Sequence, residues 1–268
     1  MHLQLRQPPQ TLLSVGLLYL LLLAMGSIFI AMQPPWLGVS LGKTAAGLTV
    51  TAISPDSPLA GRLLPGETLV GIHNGRERVP LDLALLRPEP DNASDYGAYQ
   101  LLFRENARLY AMLTNGPVTL ETGQHQLLQV TARSSRPFSA LPPLFWYQML
   151  CAIAVFGMGI GVVAFVQEDI SARLYTSAAL GLSLGMTTSA IYTTRELVMP
   201  PDLFQPLSYL NEFGAMLFAS CGTAMLWYFP RPLGRFPLAR AALCLMVLML
   251  LLHYLQLIDN LDLTVRAP

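Results

Sequence analysis

Residues 11–32 read TLLSVGLLYLLLLAMGSIFIAM, a run with no charged side chain that closes just before Pro34 and Pro35. A bilayer core about 30 Å thick is crossed by about 20 apolar residues in a helix. A cleaved leader carries an apolar region of only about 7–15 residues. The run therefore reads as a retained anchor helix.

Composition points the same way along the rest of the chain. Of 268 residues, 53% are hydrophobic and 12% charged, about half the charge a soluble domain carries. Four further runs reach membrane length: Leu144–Val166, Leu174–Thr193, about Leu207–Phe229 and about Leu238–Leu257. Trp146 and Tyr147 at the start of the second run, and Trp227, Tyr228 and Phe229 at the end of the fourth, are rings of the kind found at membrane interfaces. Counting Lys and Arg over short loops, an N-terminus in the cytoplasm puts Arg6, Arg173, Arg231, Arg235 and Arg240 inside and leaves Arg195 and Arg266 outside. That is the positive-inside sense. Five crossings then leave the C-terminus outside, and a reporter fused there is expected to be active in the periplasm.

A formal net charge of zero gives no case for a nucleic-acid partner. Cys151, Cys221 and Cys244 all fall in the apolar runs, so the soluble stretch holds no disulfide framework and the thiols read as packed helix residues. No metal site and no cofactor is expected.

About 110 residues separate the first two runs, enough for a modest core. Short strands are expected at Leu37–Leu41, Leu48–Ile53 and Leu69–His73, a helix over 91–115, then strands Val118–Glu121 and Leu127–Ala132 around a Gly123 hairpin. Tyr96, Tyr99, Phe103, Tyr110 and Leu113 recur at roughly helical spacing.

Within this stretch come, in order, Trp36-Leu37-Gly38-Val39, Gly47-Leu48-Thr49-Val50-Thr51-Ala52-Ile53, Ser57-Pro58-Leu59-Ala60, Leu64-Pro65-Gly66-Glu67-Thr68-Leu69 and Ile72-His73-Asn74-Gly75. This series resembles a bacterial PDZ domain. Such a domain adds a chain end as a strand at a sheet edge and receives its carboxylate on loop amides. By that resemblance Leu37, Gly38, Val39 and Ser40 form the peptide-binding loop and edge, with a peptide or protein chain end as partner, and Gly66 and Gly75 are turn glycines at positive φ. Two departures stand out. The segment from Pro58 to Gly66 is short, and residues 88–115 expand the region after Val79, where a helix could cover the groove.

The expected fold class is membrane α-helical, with five transmembrane helices and an inserted extracytoplasmic α+β PDZ-like domain. Its parts are an N-terminal transmembrane anchor (1–33), a periplasmic PDZ-like domain (34–142), a four-helix transmembrane region (143–257) and a short extracytoplasmic tail (258–268). The order resembles the input region of polytopic sensor histidine kinases, similar to the competence quorum-sensing kinase of bacilli and its proteobacterial relatives. Three stretches carry that likeness: Leu141-Pro142-Pro143-Leu144-Phe145-Trp146, Ala190-Ile191-Tyr192-Thr193-Thr194-Arg195-Glu196-Leu197 and Tyr228-Phe229-Pro230-Arg231.

The resemblance implies a membrane sensory input module of the bacterial inner membrane, a homodimer, and a cytoplasmic transmitter with a response regulator. His2, His73, His125 and His253 include no phospho-acceptor on a soluble helix, and no nucleotide loop follows. The expectation is a non-enzyme whose longer form carries a further helix and a kinase module. A PDZ-bearing envelope scaffold is the alternative.

Two chemistries were weighed against this reading. His-Glu-x-x-His, the metalloprotease motif, is absent. Gly181-Leu182-Ser183-Leu184-Gly185 has the Gly-x-Ser-x-Gly spacing, with His253 later in the chain. Ser183 and His253, counted from their cytoplasmic helix ends, differ in depth by about 9 Å at about 1.5 Å per residue. An intramembrane serine protease is therefore the least favoured reading. Gly181 and Gly185, like Gly157 and Gly161, read instead as small-residue packing faces. Ionisable groups at the ends of membrane helices mark functional candidates. Tyr192, Arg195, Glu196, Asn211 and Glu212 form such a signal-coupling cluster, with an Arg195–Glu212 ion pair expected across the short outer loop.

Overall fold

The computed structural model describes residues 7–44, 47–81, 90, 93, 95–231, 233–234 and 237–255. The described residues fall into two compact units. One is drawn from Phe29–Pro142 together with Ile191–Pro206, the other from Met1–Ile28, Pro143–Ala190 and Leu207–Asp259.

The first unit is built on an antiparallel sheet: β1 (Val39–Thr44), β2 (Gly47–Ile53), β3 (Thr68–His73), β4 (Arg78–Pro80), β5 (Val118–Thr122) and β6 (Leu127–Val130). Its order is β1-β2-β3-β5-β6, with β4 paired to β3. β2 pairs β3 at residues 68–69 and β4 pairs it at 71–73, leaving the other edge to β5. β1 is therefore an edge strand. Alternation drives the sheet: Val118, Leu120 and Thr122 point inward while Thr119 and Glu121 are half-buried.

Gly66 and Gly75 do hold positive φ, at 96° and 83°. In the β5–β6 hairpin the left-handed residue is His125 (φ 62°) and not Gly123.

α2 (Tyr96–Thr114) begins at Asp95, whose carboxylate accepts from the Ala98 amide at 2.8 Å and satisfies one of the open N–H groups of the first turn. Tyr99, Leu102, Asn106, Leu109 and Leu113 are buried, one face of a helix at steps of three and four. Leu109, Met112 and Leu113 close over Leu37, Val39, Leu48 and Ile72 of the sheet core.

The second unit is helical: α1 (Pro9–Met32), α3 (Pro143–Phe165), α4 (Ile170–Thr193), α5 (Pro201–Tyr228) and α6 (Leu238–Tyr254). The unit boundaries fall inside α1, α4 and α5. Close glycine contacts set its packing. A Cβ on Gly181 would lie 2.6 Å from the Gly214 carbonyl and from the Phe218 amide, so α4 and α5 touch backbone to backbone. The small-residue face expected at Gly181 and Gly185 is thus an α4–α5 contact. On α3 the close approach is at Gly159, beside Ala179 and Thr176, whereas Gly161 faces open space and Gly157 only grazes Leu20. Thr176 also donates to the Gly159 carbonyl at 2.8 Å. Of the three free thiols only Cys221 is buried, and Cys244 is exposed.

The expected fold class needs correction. Among the described residues the fold is mixed α/β, 59% helix and 14% strand, with an antiparallel six-stranded sheet. Among the described residues two helices, not five, are long and apolar enough to cross a membrane: Pro9–Met32 with mean hydropathy 2.4 and Pro143–Phe165 with 2.1. Only 22% and 28% of their most apolar windows are buried. Leu17, Leu22 and Phe29 of α1 and Leu150 and Phe165 of α3 are more than half exposed. Side chains of that kind are compatible with an apolar solvent around both helices, and so with membrane association.

The other three fall short for identifiable reasons. α4 carries Ser177, Ser183, Thr187, Thr188 and Ser189. α5 carries Asp202, Asn211 and Glu212, and its first residues belong to the sheet unit. α6 has 17 residues. A count of uncharged positions passes hydroxyl-rich helices that a hydropathy mean rejects. The expected tail 258–268 lies outside the described residues.

Candidate functional site: a carboxylate on the Leu37–Val39 amides

The loop leading into β1 is held by its carbonyls. The Gly38 C=O accepts from the Ser54 amide at 2.8 Å, and the Leu37 C=O accepts from the Ser57 hydroxyl. Gly38 sits at φ 73°, a left-handed geometry natural to glycine, which lets neighbouring amides converge on one side. A bound anion would be expected there. What lies there is a carboxylate of this same chain.

Glu196 occupies the seat. The Leu37 N–H donates to Glu196 Oε2 at 2.9 Å, and the Gly38 N–H to Oε1 at 3.1 Å and Oε2 at 3.3 Å. The Val39 amide adds a weaker electrostatic pull on the same carboxylate. Arg136, only 4% exposed, places Nη2 at 3.7 Å from Oε1. Burial pushes the Glu196 carboxyl up to about 7, against the opposing pull of Arg136 and the three amides. Burial likewise lowers the Arg136 guanidinium. Both charges are short of water, and each is compensated chiefly by the other and by main-chain dipoles.

The residues after Glu196 are clamped as well. Leu197 and Val198 belong to the sheet core, with Leu37, Val39 and Leu59. The Met199 N–H donates to Asn106 Oδ1 at 2.9 Å, and Asn106 Nδ2 donates to the Met199 carbonyl at 2.8 Å. One buried amide on α2 thus reads both main-chain groups of one extended residue. Phe204 at the start of α5 packs edge-on to Phe103, at 4.8 Å between ring centres, and the Arg195 guanidinium lies 4.8 Å over the Phe204 ring. Burial lowers Arg195 to about 10, so it stays charged at neutral pH.

The expected residues are therefore distributed as follows. Leu37, Gly38 and Val39 form the carboxylate seat. Ser40 is exposed on β1, where its carbonyl accepts from Thr51. Tyr192, Arg195 and Glu196 belong to the sheet unit, and Asn211 and Glu212 to the helical unit. Asn211 Oδ1 accepts from the Thr188 hydroxyl at 2.7 Å. Within the helical unit Glu212 is engaged by His253 Nε2 at 2.7 Å, and within the sheet unit Arg195 faces Phe204. Ser183 is fully buried in mid-helix. The helix expected to obstruct the groove contributes Asn106, and the loop amides themselves are taken by Glu196. Arg136 and Asn106 were not singled out from sequence. Their partners lie 60 and 93 residues away, and no local pattern announces them.

Comparison with family models, curated proteins and solved structures finds no match to this chain.

Replacing Asn106 by leucine keeps the branched shape of the side chain but leaves the buried Met199 N–H and C=O unpaired. The expected cost is about 2 kcal/mol, an approximately 30-fold faster local opening. Hydrogen exchange over residues 195–204 checks this, and unchanged exchange would mean that the clamp is decorative.

Proposed function

We propose that this chain is a membrane sensory input module of a two-component-type signalling protein, with a PDZ-like sheet unit as its extracytoplasmic receiver. The single observation that carries the reading is Glu196 on the Leu37 and Gly38 amides. Residues 191–206 belong to the sheet unit yet continue directly into α4 and α5 of the helical unit. A change at the loop is therefore a change at two helix ends, with no further element needed to relay it. The ordered segments from Trp36 to Gly75 and the stretch Ala190–Leu197 support the family likeness, and the second of these supplies Glu196.

Two apolar helices, α1 and α3, associate the chain with the bacterial inner membrane, and the sheet unit, which includes residues 191–206, lies on one side of it. By the sensor likeness the N-terminus is cytoplasmic and the sheet unit periplasmic. A homodimer and a response regulator complete the proposal.

Glu196→Ala at the chromosomal locus should change the phosphorylated fraction of one host response regulator at least threefold on Phos-tag gels. Arg62→Ala, on an exposed turn of the sheet unit, serves as the control. Regulators indistinguishable from wild type would remove the sensory reading.

A further inference from the structure

The contacts of the Glu196–Met199 segment describe a ligand. Main-chain amides receive its carboxylate, and such donors recognise the two oxygens without regard to the residue that carries them. Two aliphatic side chains, Leu197 and Val198, enter the sheet core beside the seat. One main-chain amide and carbonyl are read by Asn106. We propose that Glu196–Met199 is a built-in competitor for this seat, and that a peptide chain end with a free α-carboxylate and aliphatic terminal side chains displaces it. Ligand capture and release of the α4–α5 connection are then one event.

Three features make the exchange physically reasonable. The seat is held from behind by Ser54 and Ser57, so its amides stay aimed when the occupant leaves. The occupant is not a strand: the residues between α4 and α5 pair with no part of the sheet, and β1 is an edge strand whose outer side no described strand covers. Release therefore breaks no ladder. Finally, Arg136 is buried opposite the seat. An empty seat would leave that cation uncompensated, which is costly in a desolvated place. A second carboxylate restores the balance, so the occupant leaves when another acid arrives. A chain end enters such a seat with a single flanking segment, whereas an internal acidic residue must thread two. The consequence for signalling rests on the sensory reading above, but the competition itself does not.

The test uses the full chain in lipid nanodiscs and three fluorescein-labelled octapeptides. The first ends in Ala-Leu-Val with a free carboxylate, the second is its C-terminal amide, and the third holds an internal Glu-Leu-Val-Met with both ends blocked. By anisotropy, Glu196→Ala should bind the free acid at least tenfold more tightly than wild type, and neither protein should bind the amide. A second measurement needs no variant: saturating free acid should raise deuterium uptake of wild-type residues 195–204 at least threefold. Equal affinities, no binding to Glu196→Ala, or peptide bound with unchanged uptake would each overturn the competition. Tighter binding of the internal acidic peptide would overturn the chain-end assignment. Because these readouts use purified protein, they separate from the regulator assay: a segment that releases while every regulator stays silent counts against the sensory reading alone.

Discussion

Gly38→Val is expected to destabilise the sheet unit by about 3 kcal/mol, combining left-handed strain of about 1–2 kcal/mol with overpacking of about 1–3 kcal/mol. Gly38 holds φ 73°, and a Cβ there would lie 2.6 Å from the Ser57 Cβ and 2.9 Å from its Cα. Ser57 cannot retreat without releasing the Leu37 carbonyl and the Leu59 amide, both of which its hydroxyl binds. Gly66 separates the two costs. It also holds positive φ, 96°, but a Cβ there meets nothing within 4 Å. Gly66→Ala should therefore cost only about 1 kcal/mol. Trp36 is 2% exposed in this unit and reports its unfolding once Trp146 and Trp227 are replaced by phenylalanine. In urea the Gly38→Val midpoint should fall by about 1–2 M and that of Gly66→Ala by less than half as much. Equal shifts would mean that Ser57 gives way freely and the seat is not rigid.

The second large effect is on pH. The Glu196 carboxyl rises from its ordinary value of 4.5 to about 7, because burial opposes the charge more than Arg136 and the loop amides support it. Between those values the folded chain holds a proton that the unfolded chain has lost, so stability must fall as pH rises. The contribution is full below pH 4.5, declines through the interval and is gone above about 7. At about 1.4 kcal/mol per pH unit it amounts to about 3 kcal/mol. Glu196→Gln removes the titrating group, so its Trp36 unfolding curve should lose this part of the slope between pH 5 and 7. A wild-type slope of the opposite sign would show that the amides and Arg136 outweigh burial. The same sign implies that the segment leaves its seat more readily at pH 7.5 than at pH 5.5.

The strands of the sheet unit follow from alternation and from glycine and proline turns, and their expected limits differ from those observed by at most three residues. The exception is β4, Arg78–Pro80, too short to carry a period. The α2 helix was legible from its spacing, but the buried face is Tyr99, Leu102, Asn106, Leu109 and Leu113, not the aromatic positions taken together. An asparagine on that face looks unfavourable until its partner Met199, 93 residues on, is seen. The helices of the second unit were all found, although α4 and α5 begin four and six residues before their expected starts, and their number as membrane spans was not. Length and absence of charge are properties of a segment. Whether the hydroxyls of Ser183, Thr187 and Thr188 face neighbours or lipid depends on packing, and all three prove to be buried.

The seat and its occupant divide in the same way. Leu37-Gly38-Val39 was legible only through its likeness to a PDZ carboxylate loop, and the left-handed geometry of Gly38 (φ 73°) emerges in the structure. Glu196 was singled out too, but only as an ionisable residue at the end of a helix run. Nothing local states that it lies 158 residues along the chain from the amides that bind it. Backbone conformation and the apolar character of a segment are set by neighbours in sequence, so the sequence by itself determined the apolar helices and every strand but β4. The pairing of Glu196 with that loop, of Asn106 with Met199 and of Glu212 with His253 was decided only by the tertiary structure. Buried polar groups are satisfied by whatever the packed core brings within about 3 Å, and that distance is a property of the fold.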